Sequence, residues 1–294
     1  MTLSLDEALP EKRAARRAFD RAARRSGHFA GASFIHDEAR TRLLARLDVL
    51  RLAPRLVVDL GCGLGSGASA LAARYPGALV VALDSSQNML RSAAASADAA
   101  FAVVGGDAER VPLKAHCAEL VLANLVLPWC RPDVVFAEAA RVLAADGVAL
   151  FATLGPDTLK EVREAFAAAD DRIHVHAAFD MHDLGDLALA AGLADPVLDV
   201  DRLEVTYADV AALVRDLRAM GAVNVAGARR RGLTGVARWR RFEQALVATP
   251  GHRFAVTVEL ILGQAFGRGP IQRRGEPGEI RVPLERLKRP SKST

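Results

Sequence analysis

Three aspartates sit at matching places along the chain, each where an apolar run gives way to glycine or serine. They are Asp59 in LVVDLGCGLGSG (56–67), Asp84 after ALVVAL and Asp107 after FAVVGG. Behind Asp59, glycine recurs at every second position, Gly61, Gly63 and Gly65. Glycine at that density lets backbone bend tightly and approach a ligand to contact distance. A carboxylate ahead of such a turn repels a pyrophosphate and attracts an ammonium group. Ser66 also takes the third glycine place of G-x-G-x-x-G, so the dinucleotide fingerprint is poor. Asp84 stands where a carboxylate can accept both hydroxyls of a ribose, and Asp107 where one can accept from an exocyclic adenine amine. Each has a plainer reading: Asp84 caps a helix starting near Ser86, and Asp107 is a turn residue. A single cationic, adenosine-bearing ligand, S-adenosylmethionine, accounts for all three. The residues expected around it are Asp59, Gly61, Cys62, Gly63, Asp84, Ser85, Asp107, Ala108 and Asn124. Asn124 ends a further apolar run and is expected to face the methionine end.

Such a site needs strands that finish at one edge. Short apolar runs at 56–60, 78–83, 101–104, 119–123 and 147–153 alternate with longer helical patterns. That spacing fits βαβ units and a parallel sheet. Ligands of open α/β sheets bind beyond the carboxyl ends of the strands, where neighbouring connections diverge. Residues 1–55 read as a helical lead-in: Ala15, Phe19, Ala22 and Ala23 share one face, and Leu43, Leu44 and Leu47 form a second stripe. Pro54 marks the boundary with the core, residues 56–206, which adds helices near 157–169 and 182–191 and a strand around 196–206. Residues 207–250 read as a mostly helical insertion, 251–267 as the last strand of the core, and 268–294 as a polar, poorly ordered tail. The expected fold is an α/β, Rossmann-like one with a mostly parallel sheet and helices on both faces.

Composition narrows the class. Of 294 residues, 51% are hydrophobic and 25% charged, ordinary for a globular protein with a sizeable core. No apolar stretch approaches the ~18 residues of a membrane span. The first 25 residues lack the apolar core of a signal peptide, and Asp6, Glu7 and Glu11 count against a transit peptide. Cys62, Cys117 and Cys130 are too far apart for a metal knuckle or a redox pair, and such a low, odd count suits a reducing cytoplasm. The net charge of +4 is too modest to point to nucleic acid without clustering on one surface. No metal, nucleic acid or membrane is expected as a partner.

The segments VVDLGCGLG, VVALDSSQNML, GGDAERVPL and LVLANLVLPWC together resemble the four motifs of class I methyltransferases, over residues 56–154. The flanks are more specific. AFDRAA (18–23), NLVLPWC (124–130), LGPDTLKEVREAF (154–166), DMHDLGDLALAAGLADPVLDV (180–200), DLRAMGAVNV (216–225) and RRGLTG (230–235) resemble the malonyl-acyl-carrier-protein O-methyltransferases of biotin synthesis. That resemblance implies a seven-stranded sheet, a helical lid, and methylation of the free carboxylate of a malonyl thioester on acyl carrier protein or coenzyme A. Ser26 stands near the place of a family tyrosine, and Pro128 precedes Trp129-Cys130 where the family has glutamine. S-adenosylmethionine-fold hydroxylases of a complex I arginine share the flanking pattern and give the alternative enzyme; a non-catalytic cofactor-binding assembly protein is the third reading.

Methylating a carboxylate needs no strong base, so no catalytic triad is expected. The acid must be oriented by a cation and walled from water. Arg17 and Arg21 in the lid are candidates, set against solvated positions on a helix face. Asn124 and Trp129 are the other candidates for the acceptor pocket, Trp129 equally as a core residue. His182 with Asp183 is balanced by a simple helix N-terminus. RRRGLTGVARWRR (229–241) holds six arginines and no acid; it is either a solvated face or a docking patch for an acidic carrier.

Overall fold

The computed structural model describes residues 9–95, 100–247 and 252–268. Its centre is a seven-stranded sheet in the order β3-β2-β1-β4-β5-β7-β6. The strands are β1 Leu56–Leu60, β2 Leu79–Asp84, β3 Ala102–Gly105, β4 Ala118–Asn124, β5 Leu143–Leu154, β6 Leu193–Tyr207 and β7 Phe254–Gly267. β1 to β5 pair in parallel, and β7 runs antiparallel between β5 and β6. The inner strands are buried on both faces, which is why Val57-Val58, Val80-Val81 and Leu120-Val121-Leu122 read as unbroken apolar runs. One apolar layer packs under each face, one around Leu43, Leu71, Leu120 and Leu150, the other around Leu60, Val121, Phe136 and Phe151.

Three helices precede β1: α1 Lys12–Ala23, α2 Ser26–Ala32 and α3 Phe34–Arg46. Ala15, Ala18, Ala22 and Ala23 are the buried stripe of α1, which packs on α5 (Gln87–Ala95), while Phe19 is half-buried beside them. α4 (Ser66–Arg74) follows β1, and α6 (Pro132–Val142) follows β4 through a 3-10 turn at Leu127–Trp129. α7 (Lys160–Ala167) and α8 (Met181–Ala190) lie between β5 and β6.

The insertion is less helical than its sequence suggests. α9 (Val210–Ala219) and α10 (Val236–Leu246) are separated by irregular chain, residues 220–235, anchored by side chains rather than by helical periodicity. Asn224 bonds the carbonyl of Ile173 and His176 accepts from the amide of Val225. Leu213 and Phe242 of the insertion join Val162 and Ala165 of α7 in a third apolar cluster. Among the described residues no helix is long and apolar enough to cross a membrane. The tail expected at 268–294 lies, beyond Arg268, outside the described residues, as does the side chain of Ser26.

Candidate active site

β1 is the switch point of the sheet: the chain leaves it toward β2 on one side, and β4 lies on the other. A crevice therefore opens beyond its carboxyl end. The turn that lines it must be glycine. Gly61 has φ +70°, and a Cβ there would meet Val126 at 2.7 Å. Gly67, opening α4, leaves room for a carboxylate, since a Cβ would stand 2.7 Å from Asp59 Oδ2. The crevice is a cavity of about 540 Å³, roofed by α1 to α3.

Every cofactor residue expected from sequence reaches this cavity: Asp59, Gly61, Cys62, Gly63, Asp84, Ser85, Asp107, Ala108 and Asn124 all line it, and so does Trp129. Asp84 is held in place by the amides of Gly63 (3.0 Å) and Ser86 (2.7 Å), one to each oxygen. It thus ties the glycine turn to the next strand and fixes Ser86, whose hydroxyl caps the following helix by accepting from the amide of Met89. A carboxylate has about four acceptor positions, so each oxygen keeps one for a ligand. Asp107 makes a turn with the amide of Glu109 (2.9 Å) and an ion pair with Lys12 of α1 (2.7 Å).

Deeper in, polar atoms lack partners. Asn124 Nδ2 donates to the carbonyl of His36 at 3.0 Å, which assigns its Oδ1 as an acceptor, and that acceptor is buried without a donor. Asp59 Oδ2 and His36 Nδ1 are likewise buried and unpaired. Burial pushes the Asp59 carboxyl up to about 7, with neighbouring Asp84 adding to the effect and the amide of Ala68 and Arg40 opposing it. The His36 imidazole is driven down to about 4 by burial. Burial also raises the Cys62 thiol, and it holds Cys130 at about 12, so neither supplies a thiolate. Two buried acceptors without donors cost free energy unless a donor arrives from outside. An ammonium fits both, so the residues present suit the cationic end of S-adenosylmethionine.

The acceptor-side expectations need correction. Arg17 and Arg21 do not line the cavity; Lys12, Arg13 and Arg16, equally exposed on the same helix, do. The alanine stripe fixed which face of α1 is buried but not which flank turns to the crevice. His182 is exposed and outside the cavity, where Asp180 caps α8 by accepting from the amides of His182 and Asp183. Four of the six arginines of the run have partners within the protein. Arg229 and Arg231 pair with Glu11, Arg238 with Asp170, and Arg241 bonds the carbonyl of Ala169. The residues missed by sequence are His36 and Arg40 of α3 and Phe19 of α1, all lining the cavity. Their signal is weak, because α3 reaches the site only through packing across the sheet end.

Comparison with known proteins identifies relatives of the chain. A family model described as a methyltransferase domain matches residues 58–151. A malonyl-acyl-carrier protein O-methyltransferase of Laribacter hongkongensis is 42% identical over 280 residues, covering 90% of this chain and 92% of the relative. One from a Methylovorus species is 40% identical over 278 residues, covering 90% and 92%. In fold, the chain is similar to the YcgJ protein of Bacillus subtilis, with a TM-score of 0.56 at 18% identity over 78% of this chain and 98% of that one.

Proposed function

The chain belongs to the malonyl-acyl-carrier protein O-methyltransferase family, and from that premise we propose that it methylates the free carboxylate of a malonyl thioester borne by acyl carrier protein, with S-adenosylmethionine as donor. When bound, that cofactor supplies a methyl on a sulfonium; as the carboxylate oxygen forms the new C–O bond, the S–C bond breaks and its electron pair stays on sulfur. The observation that carries the reading is the pair of buried, donorless acceptors, Asp59 Oδ2 and Asn124 Oδ1, behind the glycine turn. They would hold the ammonium of the methionine portion, with Arg40 taking its carboxylate. Asp84 would accept the ribose hydroxyls on its spare lone pairs, with Gly61, Cys62, Gly63 and Ser85 shaping the turn around the sugar. Asp107 and Ala108 would meet the adenine.

The protein then has to orient the acceptor and keep water out. Arg13 and Arg16 line the cavity, and among the described residues neither has a recorded ion pair. They are the cations we assign to the malonyl carboxylate, in place of Arg17 and Arg21. An acid that is already ionised at neutral pH needs no base, so no proton has to move in the transfer. An anion and a cation become two neutral groups along the reaction, and water stabilises the separated charges more than the transition state. Phe19, Phe29 and Trp129 form apolar walls that limit this penalty. In-line placement of the reacting atoms supplies about 7–11 kcal/mol of the barrier reduction in well-oriented systems.

In this reading residues 1–55 are a lid, 56–206 with 251–267 the cofactor-binding core, and 207–250 the insertion that completes the acceptor side. Lys12 ties the lid to Asp107 and Glu109 of the core, while its neighbour Glu11 ties it to Arg229 and Arg231 of the insertion. The test is methyl transfer from labelled S-adenosylmethionine to malonyl-acyl carrier protein. Label should appear in a base-labile ester on the carrier, and also with malonyl-coenzyme A at higher concentration. Tight cofactor binding with no transfer to either thioester overturns the assignment.

A further inference from the structure

A second cavity, of about 350 Å³, lies between α7, the 173–178 segment, α9 and α10. Its size is in the range that takes a small organic ligand. Among the described residues, Trp129 alone lines both this chamber and the cofactor cavity. The indole stands edge-on to Phe19 of the lid (5.0 Å between centroids) on one side and to His176 of the chamber (5.4 Å) on the other. His176 is fixed by the Val225 amide at 2.8 Å, and the Val225 carbonyl in turn receives the amide of Glu11 at 2.8 Å. The partition between the cavities is thus braced from the lid, the core and the insertion together.

The two cavities differ in what they offer a ligand. In the chamber, nearly every polar side chain is already satisfied by the protein. Asn224 donates to Ile173 and accepts from Ala226, Thr158 is paired with Glu259 in both directions, and His174 holds Asp170 while stacking on Phe166 at 3.7 Å. What remains is an apolar surface of leucine, valine and aromatic side chains. The exception is Arg218, exposed at the C-terminal end of α9, whose guanidinium makes no hydrogen bond or ion pair among the described residues. An apolar channel with an unpaired guanidinium on its lining calls for a slender, mostly neutral ligand that carries a single anionic group at one end. It must also reach the partition beside the methyl-transfer cavity with its other end.

We propose that this chamber receives the 4′-phosphopantetheinyl arm of the carrier-borne substrate, with Arg218 meeting the phosphate and Trp129 setting where the thioester end passes into the cofactor cavity. This rests on the malonyl-thioester reading above. It places the carrier at the α9 rim of the chamber; α10, which carries Arg238, Arg240 and Arg241 of the arginine run, lines the same chamber through Trp239 and Phe242.

Two variants test it. Val214, half-buried on α9 and lining the chamber, becomes tryptophan to fill it. Arg218→Glu reverses the charge on its rim. Val214→Trp should raise KM for malonyl-acyl carrier protein by about tenfold or more, equivalent to about 1.4 kcal/mol. KM for malonyl-N-acetylcysteamine, which lacks most of the arm, and the Kd for S-adenosylmethionine should both stay within about twofold of wild type. Free 4′-phosphopantetheine should inhibit the wild type competitively against the carrier substrate and inhibit both variants more weakly. Equal effects on the long and truncated substrates, or inhibition unchanged in both variants, overturns the assignment. Inhibition by long-chain fatty acids with none by phosphopantetheine also overturns it, in favour of an alkyl occupant. If the wild type methylates neither thioester, the proposed function falls and takes this with it; an active wild type with insensitive variants removes only the chamber's role.

Discussion

The cofactor cavity and the chamber behind Trp129 are neighbours built on opposite principles. The first sits on strand ends, carries buried acceptors that no protein group satisfies, and raises the pKa of its central carboxylate. The second sits among helices and loops, and its polar side chains are almost all paired within the protein. Unsatisfied groups cost stability in the free protein and are repaid only by a ligand with matching chemistry. Satisfied apolar walls cost nothing and discriminate by shape alone. One cavity is therefore made for a particular charge, and the other for a particular outline. A methyltransferase needs both, because its donor is a compact cation and its acceptor is a small acid on a long arm.

The contrast is broken most sharply at Asp59. Replacing it with Asn keeps the shape and removes the charge. Hydrogen bonds to charged groups contribute about 1.5–3 kcal/mol, so Asp59→Asn should weaken S-adenosylmethionine binding by roughly 10- to 100-fold by calorimetry. The ligand-free variant should melt no lower than wild type at pH 8, since a buried carboxylate with an unpaired oxygen is gone. A variant that binds normally, or unfolds, would show that Asp59 is structural.

A pH series sharpens the same point. The folded-state value of about 7 lies above the usual 3.8, so the folded protein holds this proton more tightly than the unfolded chain does. The stabilising contribution of Asp59 is full below the unfolded value and is lost as pH rises through the folded one. Ligand-free stability should accordingly fall between about pH 4 and pH 7 more steeply in wild type than in Asp59→Asn. Cofactor affinity should move the other way, rising as pH passes 7, because only the ionised carboxylate pairs with the ammonium. Identical melting-versus-pH curves for the two proteins would remove the buried carboxylate as the cause.

Much of the first cavity was legible in the sequence, and little of the second. Buried parallel strands declare themselves as unbroken apolar runs, and in such a sheet the ends of those runs are where ligands bind. Reading Asp59, Asp84, Asp107 and Asn124 at those ends located the cavity. His36 and Arg40 were invisible, because α3 comes over the sheet end by packing that no local pattern records. The partners of the arginine run were hidden for a related reason: Glu11, which pairs with Arg229 and Arg231, and Asp170, which pairs with Arg238, lie far away in sequence. The chamber has no chemistry-bearing spacing of its own, although much of its lining falls in the family-like stretches 124–130, 154–166 and 216–225. Its walls come from well-separated stretches of chain, and apolar residues on each read as ordinary core.

The helical phase of α1 gives a smaller but cleaner contrast. All four arginines are exposed, but Arg13 and Arg16 line the cavity and Arg17 and Arg21, on the same helix, do not. Arg13→Ala together with Arg16→Ala should raise KM for the malonyl substrate about tenfold, or about 1.4 kcal/mol, and leave cofactor Kd nearly unchanged. Arg17→Ala together with Arg21→Ala, with the same loss of charge, should shift KM by no more than about twofold, as surface substitutions generally do. Equal effects of the two pairs would mean that long-range charge, not placement, attracts the acid, and raising the salt concentration would then abolish both.

The smallest effect belongs to Lys12, which spans from the lid to Asp107 at 2.7 Å and Glu109 at 2.5 Å. Its side chain is 46% exposed, so water screens both pairs and each contributes about 0.2–1 kcal/mol. The site of contact matters more than the energy. Asp107 would meet the adenine in our reading, so Lys12 holds the lid to the residue that reports an occupied pocket. Lys12→Met keeps the aliphatic stem and deletes the charge. Cofactor Kd should rise by less than about fivefold, chiefly through faster dissociation in stopped-flow measurements, and the difference from wild type should shrink in 0.5 M salt, where the Debye length falls to about 4 Å. A slower dissociation would mean that Lys12 competes with adenine for Asp107 instead of closing over it, and the lid would then be held shut by Glu11 and the insertion alone.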